Sequence, residues 1–292
     1  MSICVTPITE VFGATVTGID LSNGIGVADL ATLIDAFEQH SVLVLPNQPM
    51  TDERQVEFSR NFGPLEHTVR SNPAGDSFFA RQSNIDINSG EVIPPDDRRM
   101  AYQEGNYRWH TDSTFKPILS RCSIFSAREI PAQGGATEFA STRAGYEQLS
   151  AARQQVLEGL VVEHDLIASR KRYGFEFNER EKSNMSAARH RLVFTNPITT
   201  RRSLLIGSHA FRIVDMPEEQ SRALLDELLE LSTQAQNCHR HEWREHDIVI
   251  WDNRAALHRA TPYDGTRYRR LMQRTTVSSG TAAELQAMEA QQ

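Results

Sequence analysis

The sequence predicts a mainly β fold with flanking helices, an antiparallel barrel or jelly roll. Three observations point there. Short β-branched or aromatic segments, most bounded by Gly, Pro, Asp or Asn, recur along the chain. They do not alternate with helices as a doubly wound parallel sheet requires. The 292 residues also hold no internal repeat, low-complexity linker or long Gly/Ser-rich stretch, which favours one continuous domain over 1–292.

Residues 27–40 place Leu30, Leu33, Ile34 and Phe37 at i, i+3, i+4 and i+7, an amphipathic helix. It runs into 41–46 (Ser-Val-Leu-Val-Leu-Pro), a short apolar strand ended by proline. Thr51-Asp-Glu-Arg reads as an N-cap with an acidic first turn, so a second helix starts there and stops near Phe62-Gly63-Pro64. Segment 73–109 is polar and reads as a long loop. Strands follow at 121–127 and 136–139, then a helix over 141–149 and a strand at 160–162. A second long polar loop spans 167–190, and loops of this length in a compact domain are characteristically functional lids. It carries Arg170-Lys171-Arg172-Tyr173-Gly174, a basic run that suits either a solvated surface or an acidic ligand. Strands at 192–194 and 203–206, a Leu-rich helix over 218–234, and strands at 246–251 and 269–277 complete the order.

Composition narrows the function classes. Thirty-one Lys+Arg against 38 Asp+Glu give a formal charge of −7, the wrong sign for a bulk nucleic-acid binder. No run approaches the roughly 20 apolar residues of a membrane span. Met-Ser-Ile-Cys-Val-Thr-Pro lacks the basic and apolar regions of a secretory signal, so the expectation is a cytoplasmic protein. Cys4, Cys122 and Cys238 are scattered, which excludes a disulfide framework. Cys238-His239-Arg240-His241 reads as a polar strand with two rim histidines rather than a soft-metal cluster.

The sharpest local signal is Trp109-His110-Thr111-Asp112. On a strand, His110 and Asp112 point to one side, and with one further histidine they make the facial triad of non-haem Fe(II) sites. Alone, such a pair also arises from chance or loop hydrogen bonding. Downstream, the apolar run 248–251 turns through Asp252-Asn253-Arg254 and is followed by His258, placed to close the triad from an adjoining strand. Arg270 and Arg274 then share a strand face with Met272 between them. Two inward guanidiniums are costly to desolvate unless each meets an anion, so this face is read as a carboxylate site, a solvated basic edge being the alternative.

His110-Thr-Asp112, Gly134-Gly135-Ala-Thr137-Glu-Phe, Trp251-Asp-Asn-Arg254…His258 and Arg270…Arg274 resemble the taurine/2,4-dichlorophenoxyacetate dioxygenase family of Fe(II)- and 2-oxoglutarate-dependent oxygenases. Phe12-Gly-Ala…Asp20-Leu, Val42-Leu-Val-Leu-Pro-Asn-Gln and Phe62-Gly-Pro-Leu-Glu66 extend the likeness from about residue 8 to 277. The resemblance implies a double-stranded β-helix, a cupin-like jelly roll. It implies iron on His110, Asp112 and His258, with O2 as oxidant. The distal carboxylate of 2-oxoglutarate is expected on Thr137 and Arg270, and the acidic group of the primary substrate on Arg274. The segment after His258 is one residue longer than in several relatives, which leaves Arg269 as the alternative to Arg270. Asp112 in the carboxylate position disfavours a halogenase.

The reaction this implies is hydroxylation of an unactivated C–H with release of succinate and CO2. The substrate reading is a small anionic, carboxylate-bearing compound, with aromatic acids among the candidates; a sulfonate or alkyl sulfate is the alternative. Asn106, Tyr107, His67, Arg70, Arg172 and Tyr173 are the candidate pocket residues. A homo-oligomer, dimer or tetramer, is expected from the relatives. An iron-free binding protein and a cupin enzyme that uses no 2-oxoglutarate are disfavoured by the intact triad and by Thr137 with Arg270.

Overall fold

The structure, a computed structural model, describes residues 2–68, 77–86, 88–183 and 185–290. Its strands begin with β1 (Cys4–Pro7), β2 (Ala14–Thr17), β3 (Val42–Leu45), β4 (Ala80–Ser83), β5 (Ser120–Glu129), β6 (Thr137–Ser141) and β7 (Val161–His164). They continue with β8 (Ala188–Arg191), β9 (Val193–Thr195), β10 (Arg202–Leu204), β11 (Ala210–Ile213), β12 (Cys238–His241), β13 (Ile248–Asp252), β14 (Ala256–Ala260) and β15 (Leu271–Ser278). The helices are α1 (Val27–His40), α2 (Asp52–Arg60), α3 (Arg98–Gln103), α4 (Thr142–Glu147), α5 (Ala151–Glu158), α6 (Leu166–Arg172), α7 (Glu179–Lys182), α8 (Glu218–Ser232) and α9 (Ala282–Glu289).

A seven-stranded sheet, β1-β2-β3-β13-β5-β15-β4, faces a three-stranded sheet, β12-β6-β14. Every pairing is antiparallel except β2 with β3. The central strands β3 and β13 are buried on both faces and read as continuous apolar runs, whereas the edge strands β1 and β4 are more exposed. In β3, Val42 and Val44 turn inward to Phe125, Trp251, Met272 and, from the small sheet, Phe139 and Ala256. Leu43 and Leu45 turn outward to Leu33 and Phe37 of α1 and Phe58 of α2. The small sheet is backed by Leu224, Leu225 and Leu228 of α8, which pack on Ala140 and Leu257. Among the described residues, no helix is long and apolar enough to cross a membrane.

The expected helix over 27–40 is α1, and Thr51 caps α2 by accepting from the Arg54 N–H. The expected helix over 141–149 shortens to α4, with Ser141 as its cap. Both long loops need correction. Within the described residues, 73–109 contains β4, α3 and a 3-10 turn at Glu104–Tyr107. Segment 167–190 contains most of α6, all of α7 and the start of β8. These helices are too short and polar to show periodicity, yet their starts are signalled by Asp97, by Asp165 and by an Asn178/Glu181 capping box. His241 is also not a rim residue: it is buried, edge-on to Trp243 and 3.2 Å from Asp247 Oδ2.

Candidate active site

His110 and His258 exchange two backbone hydrogen bonds, N–H to O at 3.1 and 2.8 Å, which bring their imidazoles side by side at 4.2 Å between centroids. Asp112 does not share a strand with His110. The chain turns immediately after the His110 bridge, with Ser113 in the left-handed region at φ +59°, and the turn carries the carboxylate to the imidazoles. The donor atoms of His110, Asp112 and His258 lie within 4.8 Å of one another, and all three residues are buried. Among the described residues this is the single group of three or more such side chains close enough to hold an ion.

Electrostatics prepare the three as ligands. His110 Nδ1 lies 2.7 Å from the Arg108 carbonyl oxygen, which can only accept, so that bond assigns the proton to Nδ1 and leaves Nε2 its lone pair. Burial pushes the His110 pKa down to about 4 against the opposing charge of Asp112. Burial, then the neighbouring His110, hold His258 well below the ordinary histidine value. For Asp112 burial works the other way, but Arg274, His258 and His110 outweigh it and hold the carboxyl well below the usual range. Ser123 Oγ donates to Asp112 Oδ2 at 2.6 Å, and Arg274 donates to Oδ1. Asn253 braces this arrangement: its Oδ1 accepts from the Asp112 N–H at 3.2 Å, and its Nδ2 donates to Ser123 Oγ at 3.0 Å. Two neutral imidazoles and one carboxylate are the donor set that divalent iron takes.

The imidazoles open onto a cavity that also exposes Asn106, Tyr107, Thr137, Tyr263, Arg270 and Arg274. Arg270 is 6% exposed, and among the described residues no carboxylate pairs with it. Among the described residues its Nη atoms reach only the carbonyls of Gln82 and Gly135, both at 3.4 Å, and its Nε has no partner. A buried guanidinium left this way calls for an anion. Thr137 Oγ accepts from Trp243 Nε1 at 3.0 Å, which leaves its own proton to donate. Gly135 is required here. At φ +71° an added Cβ would stand 2.8 Å from Pro131 Cγ and 3.4 Å from Arg270 Nε. The residues present therefore fit 2-oxoglutarate. Arg269 is exposed and paired with Glu129, facing away from this cavity.

A second cavity of about 340 Å³ adjoins the first, and Gln82, Gln103 and Arg274 line both. His67 belongs to this second cavity, its ring tilted against Phe78 at 4.5 Å and paired with Glu289, and is not part of the metal site. Asn106 is held between Gln82, at 2.7 Å, and Arg170, at 3.2 Å. Arg172 is exposed and Tyr173 lies under Arg108; neither lines these two cavities, and the buried member of the basic run is Arg170. Arg70 lies outside the described residues. Sequence reasoning passes over Ser123 and assigns no role to Asn253. The alternation that sends Phe125 inward also sends Ser123 there, and is the signal that could have found it.

Residues 5–276 match the family model described as taurine catabolism dioxygenase TauD, TfdA family. The chain belongs to this family. An alpha-ketoglutarate-dependent 2,4-dichlorophenoxyacetate dioxygenase from Cupriavidus pinatubonensis is 36% identical, over 95% of this chain and 98% of its own length. An (S)-phenoxypropionate/alpha-ketoglutarate-dioxygenase from Sphingobium herbicidovorans is 33% identical, over 96% of both chains. The crystal structure of AAD-2 with Mn(II) and N-oxalylglycine superposes with a TM-score of 0.88 at 36% identity, covering 95% of this chain and 97% of that one. This TauD/TfdA member is thus a non-haem Fe(II)- and 2-oxoglutarate-dependent dioxygenase on a jelly-roll fold.

Proposed function

We propose that the enzyme hydroxylates an unactivated C–H of a small aromatic carboxylic acid, with release of succinate and CO2. The observation that carries this is the cavity of about 340 Å³, walled by Phe78, Tyr102, Phe115, Phe175 and Phe177, with Arg274 at its junction with the metal site. The phenoxy-acid relatives add support. Bound iron and 2-oxoglutarate supply O2-dependent oxidation of the C–H, coupled to decarboxylation of the cosubstrate. His110, Asp112 and His258 hold the iron, while Arg270 and Thr137 take the distal carboxylate. Arg274, charged and shared by both cavities, orients the acid group of the substrate. The aromatic wall seats the ring and excludes water from the reacting carbon. The described parts of the segments read as lids, about 73–109 and 167–190, cover this cavity within one domain, a reading supported by Arg98, Tyr102, Phe175 and Phe177 in its lining.

The test begins with anaerobic addition of Fe(II) and 2-oxoglutarate, which should give a weak visible charge-transfer band that His110→Ala abolishes. Substrate-dependent succinate is then measured across aryloxyalkanoates, sulfonates, sulfate esters and acylated amino acids. Turnover of sulfonates or sulfate esters in preference to aryl acids would reassign the substrate class; no succinate with any acid would overturn the reading.

A further inference from the structure

We propose that the buried pair Glu66–Lys116 is a second recognition pole of the substrate cavity, and that it binds a ring substituent which both accepts and donates a hydrogen bond, a hydroxyl or carboxamide. This rests on reading the cavity as an aryl-acid site. Glu66 and Lys116 are 4% and 6% exposed, and both line the cavity. Lys116 Nζ donates to Glu66 Oε2 at 2.7 Å, and Ser113 Oγ donates to the same oxygen at 2.8 Å. Among the described residues, buried Glu66 Oε1 has no partner. An ammonium has three N–H donors, and a single hydrogen bond is made here.

A buried ion pair is often no more stabilising than apolar side chains of the same volume, so stability is a weak reason for one set beside a phenylalanine wall. Its position does. The Glu66 N–H donates to the Thr276 carbonyl, and Thr276 is the next inward position after Arg274 on β15, a step of about 7 Å. An acid group at Arg274 and a ring on the aromatic wall thus leave the ring's substituents within the compartment that holds the pair. The pair carries no net charge and offers spare N–H donors and one acceptor. A hydroxyl or carboxamide satisfies both; a halogen or a bare C–H satisfies neither, and a second carboxylate is repelled by Oε1.

Calorimetric titration of the anaerobic Fe(II)·2-oxoglutarate enzyme tests this with phenoxyacetate and its ring-chlorinated, ring-hydroxylated and ring-carbamoylated isomers. At least one hydroxy or carbamoyl isomer should bind tenfold or more tightly than the unsubstituted and chlorinated acids. The double variant Glu66→Leu/Lys116→Met, which removes both donors and acceptor of the pair, should lose that preference yet bind phenoxyacetate, which has no group for the pair, within about threefold of the wild type. It is the informative variant because Lys116→Met alone strands a buried carboxylate and is prone to misfold. Equal affinity for all isomers, or a preference that survives the double variant, overturns the proposal. If no aryl acid binds or is turned over, the aryl-acid reading fails instead. Phenol and benzamide against toluene then read the pole without an acid group, and equal binding to wild type and double variant would overturn it.

Discussion

Ser123 donates to the Asp112 oxygen that lies 3.8 Å from His258 Nε2, so its hydroxyl aims the carboxylate rather than touching a reactant. Ser123→Ala should weaken binding of Fe(II) or Mn(II) by about 10- to 100-fold, the range for residues that brace metal ligands. Metal titration followed by circular dichroism checks this; unchanged affinity in a folded variant would show that Arg274 and Asn253 suffice. Arg270→Gln should act elsewhere, raising the KM for 2-oxoglutarate thirtyfold or more, in line with about 2–5 kcal/mol for one side of a buried charge pair. Its metal affinity should be unchanged. That His110, Asp112 and His258 come together, and that Thr137 and Arg270 line the cavity beside them, was readable because short motifs hold them in order and each chemistry admits few residue types. Ser123 and Lys116 were not, because nothing local in the sequence says which cavity a serine or lysine will face. Tertiary placement alone gives them meaning.

Among the elements, α3 and α7 are joined by Arg98. Its guanidinium meets Glu181 at 2.6 Å and the Glu176 carbonyl at 3.1 Å, over the face of Phe175. That clamp is exposed, so its energy is small, about 1 kcal/mol or less. Its effect should fall on opening. Arg98→Gln should leave the unfolding midpoint nearly unchanged while speeding amide exchange across 166–183; exchange rates equal to wild type would show that the aromatic contacts alone hold the segment. The same short elements escaped sequence reading. A 14-residue helix such as α1 prints its period, whereas α7 has four residues and β4 is a polar four-residue edge strand. Such pieces take their conformation from caps and from neighbours distant in sequence.

For the molecule as a whole, the price of an interior this polar is sensitivity to acid. His164 is fully buried, neither ring nitrogen has a hydrogen-bond partner among the described residues, and burial followed by the nearby His190 push its pKa down to about 3. Below its ordinary value of 6.5 the unfolded chain takes up a proton that the folded chain refuses. Stability therefore falls as pH drops from 6.5 towards 3, and is fully present above that window. Urea midpoints from pH 7.5 to 5 should decline, with a shallower slope in His164→Leu; parallel slopes would remove His164 from the cause. The net charge of −7 gives no hint of this, nor of the inward arginines, since it counts charges without placing them. One strand does the placing. Along β15 and the residue before it, Arg270, Met272, Arg274 and Thr276 all face inward. The separation between the proposed cosubstrate anchor, Arg270, and the proposed substrate anchor, Arg274, is therefore set by covalent repeat length, like marks on a ruler. Heritable change in substrate range can proceed here by exchanging side chains at the marks. Insertion of a single residue would turn every later mark to the other face, so length variation in this segment should be purged.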